Sequence, residues 1–408
     1  MANKRVVITG IGIVSPIGTG TKKFWEAAVN ATNGVRQLTS IDITDYKTKT
    51  GGEVLDFKAD EHLSQDQIAL MGRSSQFAIA AAKMAVAQAG IDIAKENPYR
   101  IGVSMGTTMG EPQILDQGVR LKYQAGNIED IPEELPRQYP CAVIPANVAG
   151  AMNVCGPTII IPTACAAGNY AIGYAYDLIQ LGRIDFAFAG GSDPFSGIAF
   201  TGFNRLLATT SDVCRPFDAK RNGMAVAEGA GVLIVEELER AKARGANILA
   251  EVLGYGLGCD AYKMTIPDPS GSGGIRAMNA ALKNAGIAPA DIDYINAHGT
   301  GTKENDKTET LIAKTVLGDR VQSIAMSSTK SMIGHTMGAA SAIEACACVL
   351  MLTNDTMLPT INYKDPDPEC DIDCVPNTAR QAQLNIVLSN AYAFAGNCSC
   401  LALKKFKG

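Results

Sequence analysis

The chain has 408 residues, 47% of them hydrophobic and 19% charged, with a net charge of −5, which excludes a disordered or collagen-like polymer. A negative chain without a concentrated basic stretch argues against nucleic-acid binding, and no run reaches the ~18 apolar residues of a membrane span. The eleven cysteines are scattered and lack histidines at metal-ligand spacing, so they read as reduced thiols of a cytoplasmic protein rather than as zinc ligands or disulfides.

In chain order, Lys4 and Arg5 precede an apolar run, Val6 to Val14, that imitates a secretory leader. Thr9, Gly10 and Gly12 interrupt it and no small-residue cleavage site follows, so the reading is a first buried strand. Residues 76–107 then form an alanine-rich amphipathic helix closed by Ala-Gly-Ile, a loop, and a buried strand ending in Gly-Thr. The same order recurs at 274–302. A second unit is shared as well. Residues 158–190 run strand, Cys165, helix, strand, and residues 323–352 run strand, Lys330, helix. Each half closes on a glycine-containing turn into an apolar strand, at 228–237 and 395–405. Alternating helices and apolar strands imply a parallel-type sheet covered on both faces. Two copies in order imply a duplicated α/β fold, with one half at 1–250 and the other at 251–408 on a common layered core.

Ligands in such folds bind at the carboxyl ends of the strands. The duplication therefore predicts that Cys165, His298 and the segment Lys330–His335 meet in one cleft. Cys165 lies between a strand and a helix N-terminus, where the dipole favours thiolate, and its small neighbours permit a sharp turn. His298 lies in NAHGTGT and His335 in STKSMIGH, whereas His62, in a polar segment, reads as an ordinary structural residue. One cysteine and two imidazoles suit thioester chemistry: two N–H donors on one carbonyl stabilise an enolate while the sulfur holds an acyl group. A Cys–His hydrolase would leave the second histidine unexplained.

At PTACAAGN, NAHGTGT and SSTKSMIGH the sequence resembles the β-ketoacyl-acyl carrier protein synthases, in particular the type II condensing enzymes of bacterial fatty-acid synthesis. The resemblance runs from VVITGIGIVSPIG to SNAYAFAGNCSCLAL. It implies the thiolase-like αβαβα five-layer fold. It also implies decarboxylative condensation of malonyl-carrier protein with an acyl group on Cys165, without a bound cofactor beyond the phosphopantetheine that the substrates carry. His298 and His335 would polarise the malonyl thioester, with Lys330, Glu344 and Asp306 supporting them. Thr300 and Thr302 would hold the phosphopantetheine arm, and Met109 and Glu111 would line the acyl pocket. Phe394 would gate that pocket and share an oxyanion hole with the Cys165 N–H. A monovalent cation near Glu344 is implied by the same analogy.

The expected partner is an acidic acyl carrier protein, docking at Arg205 and Arg221 or at Lys122 and Arg137. The expected assembly is a homodimer or a heterodimer with a chain-length-factor-like subunit. Departures from the family pattern fall at the gate, where GFGG is replaced by Ala393-Phe394-Ala395-Gly396, at Glu111, and at Lys263 in place of a common histidine. They suggest a non-standard acyl chain, unsaturated or aryl-capped, in secondary metabolism. Two relatives remain as rivals: a coenzyme A-dependent thiolase, with Cys398 or Cys400 as its second cysteine, and a non-catalytic chain-length factor.

Overall fold

A computed structural model describes residues 4–408. Ten strands and a two-residue flap, Gly18–Thr19, form one sheet. The first half contributes β1 (Val6–Ser15), β2 (Ile101–Gly106), β3 (Thr158–Ile161), β4 (Phe186–Asp193) and β5 (Gly229–Glu237). They lie in the spatial order β3-β2-β4-β5-β1. The second half contributes β6 (Ala250–Cys259), β7 (Tyr294–Asn296), β8 (Ala325–Ser327), β9 (Ile386–Tyr392) and β10 (Asn397–Lys405), in the order β8-β7-β9-β10-β6. In each half the first two pairings are parallel and the next two antiparallel. The leader-like N-terminal run is β1, buried at every position. It pairs with β5 along its length and with β6 at Val6–Ile8, which joins the two halves edge to edge.

Helices complete five layers. Helix α1 (Arg73–Ala89) covers the outer face of the first half; α3 (Ser272–Ala285) and α4 (Lys303–Leu317) cover the second. Both Ala-Gly-Ile repeats end their helix on a left-handed glycine, Gly90 and Gly286, each with φ 65°, a conformation that costs glycine no Cβ clash. Between the two half-sheets lie α2 (Ala167–Gln180) and α5 (Ala340–Asn354). The stretch Met337–Asn354, with mean hydropathy 1.4 over 18 residues, is long and apolar enough to cross a membrane, contrary to the composition-based expectation. It is 89% buried here, because a helix covered by sheets on both sides is apolar all round.

The two central helices begin alike. Ala164 (φ 52°) opens a short 3-10 turn that leads into α2, and Met337 (φ 53°) opens one that leads into α5. The fold therefore pairs Cys165 with Gly338, not with Lys330 as the sequence repeat suggested. Lys330 belongs to an inserted turn, Lys330–Ile333, between β8 and the second elbow.

Candidate active site

Cys165 follows β3, His298 follows β7, and the Lys330–His335 segment follows β8. β7 and β8 are parallel neighbours, so His298 and the Lys330–His335 segment leave the sheet at the same end. β3 runs the opposite way across the antiparallel β1–β6 seam, and the packing of both half-sheets on α2 and α5 brings Cys165 to the histidines. The Cys165 sulfur and one nitrogen of each histidine lie within 4.8 Å of one another. The imidazoles stand edge-on, with ring centroids 5.4 Å apart. All three residues line a cavity of about 460 Å³ that also takes in Thr300, Thr302, Lys263 and Phe394. A strained elbow puts the sulfur there: Ala164 sits in left-handed backbone space that a Cβ disfavours, and the small residues after it allow α2 to start at once.

Each imidazole is held in one tautomer. The backbone N–H of Met337 donates to His335 Nδ1 at 3.2 Å, so the ring proton of His335 resides on Nε2. Lys330 Nζ lies 3.3 Å from His298 Nδ1, which places the His298 proton on Nε2 too. Burial, reinforced by the charge of Lys330, holds both imidazoles well below the usual histidine range. The result is two neutral Nε2–H donors at the bottom of the cavity. Lys330 in turn donates to Glu344, and both side chains are completely buried. Burial pushes Glu344 up to about 7, opposed by Lys330.

The nucleophile departs from expectation. Burial pushes the Cys165 thiol up to about 12, with Lys330 the chief opposing influence. Desolvation of a buried anion outweighs the helix start, and the resting residue is a thiol rather than a thiolate.

Two carboxylates that no motif reading singled out shape the loops. Glu309 accepts the backbone N–H groups of His298 and Gly299, both at 2.7 Å. Asp193 accepts from Thr107 Oγ1 at 2.6 Å and from the N–H of Thr108 and Gly338 at 2.7 and 2.6 Å, tying the β2 loop to the second elbow. Glu309 falls on one face of α4 with Asp306, and that i, i+3 spacing beside the histidine loop was the available signal. Asp193 carried none, since it ends an apolar strand. Asp306 is fully buried and accepts from Phe217 N at 2.9 Å and Gly301 N at 3.2 Å, with Arg221 Nε 3.6 Å away. It thereby fixes the loop that presents Thr300 and Thr302, whose hydroxyls lie 2.8 Å apart.

Other expected residues lie elsewhere. Neither Met109 nor Glu111 lines the cavity. Glu111 is buried against the start of α1, where it accepts from Ser74 N and Ser75 N at 3.0 and 2.7 Å. A carboxylate needs that compensation when desolvated, and the four free N–H groups of a helix start supply it. Arg221 is 2% exposed and paired with Asp306 and Asp367, so it cannot form a docking surface. Arg205, Lys122 and Arg137 are exposed, the last paired with Glu133. His62 stacks on Phe57. Cys398 and Cys400 are buried in β10 and do not reach the cavity, so the second cysteine of a thiolase is not in place.

The gate, residues 393–396, is tied to the loop after β6: Ala395 N donates to Met264 O at 2.7 Å and Asp260 N to Gly396 O at 2.9 Å. The Phe394 ring packs on Phe203 at 5.6 Å. Ala395 takes φ 61°, a left-handed pose that costs an alanine about 1 kcal/mol.

One cysteine and two histidines are a zinc-compatible donor set, but a dication there would face the buried charge of Lys330 directly behind His298. A second set has different chemistry. Asn296 Oδ1, Glu344 Oε2, Ser389 Oγ and both Oδ1 and Nδ2 of Asn390 are buried without hydrogen-bond partners, and Asn296 pairs with Ser389 across β7 and β9. Orphaned buried oxygens of this kind fit a hard cation.

The family model described as "Beta-ketoacyl synthase, N-terminal domain" matches residues 3–241, and "Beta-ketoacyl synthase, C-terminal domain" matches residues 249–364. The chain is 40% identical over 411 residues to 3-oxoacyl-[acyl-carrier-protein] synthase 2 of Staphylococcus aureus, covering 99% of each chain. Its fold superposes with a TM-score of 0.95 on the solved ishigamide ketosynthase/chain length factor, at 41% identity and full coverage of both chains. A type II polyketide synthase acyl-carrier protein in complex with its ketosynthase, bound to the hexaketide, gives 0.93 at 32% identity, covering 99% of this chain and 100% of that one.

Proposed function

This chain belongs to the β-ketoacyl synthase family, and from that premise we propose the following division of labour for its 3-oxoacyl-[acyl-carrier-protein] synthase reaction. The acyl group of an incoming carrier-protein thioester moves to Cys165 Sγ, and the thiol proton ends on the departing pantetheine sulfur. Malonyl-carrier protein then places its thioester carbonyl between His298 Nε2 and His335 Nε2. As carbon dioxide leaves, the bonding pair becomes an enolate whose oxygen both N–H groups receive. The enolate carbon attacks the acyl-cysteine, the C–S bond breaks, and the Cys165 sulfur takes up a proton for the next cycle. The N–H groups of Cys165 and Phe394 receive the oxyanion of the acyl carbonyl. Lys330 keeps His298 in its donor tautomer, and Thr300 and Thr302 hold the arm. A monovalent cation at Asn296, Glu344, Ser389 and Asn390 would supply positive charge to that buried carboxylate.

The observation that carries this reading is one nitrogen of each imidazole within 4.8 Å of one buried sulfur, while the Nδ1 of each ring is already met by Lys330 Nζ or Met337 N. Intact-protein mass spectrometry after incubation with a panel of acyl-carrier proteins tests it. A mass gain on the wild type and none on Cys165→Ala is expected; equal gain on both proteins would sink it.

The chain accepted is proposed to be unsaturated or aryl-capped and the setting secondary metabolism. The altered gate supports this. A dimer is proposed, either of this chain or with a chain-length-factor-like subunit. The titles of two structural neighbours name such a factor. The exposed Arg205, next to Leu206 and Leu207 on the cavity mouth, is the favoured docking cation for an acidic carrier. Eleven free thiols support a reducing, cytoplasmic setting.

A further inference from the structure

We propose that Lys263 and Lys303 form a phosphate subsite at the mouth of the cavity, reading the phosphate of the pantetheine arm; this rests on the carrier-protein reading above. The two lysines come from different segments of the second half. Lys263 stands on the loop after β6, which also holds the gate, and Lys303 is the first residue of α4. Both line the one cavity whose floor is Cys165, His298 and His335, and both are exposed at its outer end.

Their freedom is what singles them out. Nearby Lys220, Lys307 and Lys314 pair with Asp365, Glu369 and Asp371. Among the described residues, Lys263 and Lys303 form no ion pair; Lys263 lies 5.3 Å over the ring of its neighbour Tyr262. Three acids lie near the mouth: Asp367, whose pKa the charge of Lys303 helps to lower, is itself paired with the buried Arg221, and Asp260 and Glu304 line the cavity. Asp260 is already engaged, accepting from Asp268 N at 3.1 Å and from Cys398 Sγ at 3.6 Å. Glu304 is exposed and lies close enough to Lys307 to raise its pKa. Between the lysines, Thr300 and Thr302 offer hydroxyls, and the N–H groups that begin α4 lack a side-chain cap from Thr302.

A pantetheine arm enters such a cavity with its sulfur at the bottom and carries its only negative charge at the opposite end. Two unpaired ammonium groups beside an uncapped helix start match that charge in sign and place. The same geometry leaves a pantetheine thioester without phosphate free to enter but less firmly held.

The test compares Cys165 acylation by an acyl-phosphopantetheine thioester and by the corresponding dephosphorylated acyl-pantetheine thioester, in wild type and in Lys263→Ala/Lys303→Ala. The wild type is expected to prefer the phosphorylated donor by roughly threefold to tenfold in kcat/KM, the size of two contacts to solvent-exposed cations. That ratio should collapse toward one in the double variant, should persist in Lys263→Arg/Lys303→Arg, and should shrink with added salt. A wild type indifferent to the phosphate, or a preference that survives the alanine variant, overturns the proposal. Failure of both donors to acylate the wild type would strike the condensing-enzyme reading itself.

Discussion

At the residue scale the site depends on where two protons sit. His335 keeps its proton on Nε2 because Met337 N–H occupies Nδ1, and His298 does so because Lys330 does the same. Both imidazoles titrate well below 6.5, so they stay neutral as the pH falls from 8 through 6.5. A charged form would have to displace one of those donors. The imidazoles should therefore put no acid limb on the condensation rate between pH 8 and 6.5. Glu344, pushed up to about 7, is a neighbour that does titrate in that window; a profile that halves near 7 and does so equally in Glu344→Gln would contradict the assigned protonation state. His335→Ala removes one of the two donors and should cut condensation by about 10²–10³-fold, while Cys165 still acylates. Loss of acylation in parallel would mean that His335 serves the cysteine rather than the enolate.

At the scale of elements, the close approach of α2 and α5 sets the cleft. A Cβ added to Gly168 would lie 2.4 Å from the backbone nitrogen of Ala342, and Asn169 N donates to Ser341 Oγ at 3.1 Å. Alanine is the better helix former by about 1 kcal/mol, yet here the new methyl meets backbone that cannot turn aside. Gly168→Ala is expected to destabilise the protein by about 1–3 kcal/mol. The change would be read as a lower urea midpoint at constant m-value; a midpoint equal to or above that of wild type would show that the two helices can separate.

At the scale of the molecule the halves are repeats without being independent. The nucleophile comes from one and both histidines from the other, and every residue from Ala340 to Leu352 is buried. Much of that burial is against β5 and α2 of the first half. Cut at residue 248, each fragment would expose an apolar central helix and an unpaired edge, β1 or β6. Expressed separately, neither fragment should give a cooperative thermal transition. A sharp transition from residues 249–408 alone would show that the second half holds its own core.

The sequence by itself carried the repeat, the alternation of helix and strand, and the three motifs around Cys165, His298 and His335. These are local properties: apolar periodicity, turn glycines and short spacings survive in a linear reading. The expectation that the motifs meet came from the duplicated topology, but the parallel strands of the two halves run in opposite directions across the β1–β6 seam, and it is the packing of both half-sheets on α2 and α5 that brings the motifs together. What tertiary structure alone decided concerns partners distant in sequence. The thiol state of Cys165 depends on burial by the second half, and Glu111 turned from pocket residue to helix-start partner through Ser74 and Ser75, 37 and 36 residues away. Arg221 left the surface because Asp306 and Asp367 surround it, and the apolar stretch 337–354, which the sequence reading passed over, became the centre of the core. Burial and charge pairing are sums over neighbours in space, and a chain read in order does not contain that sum.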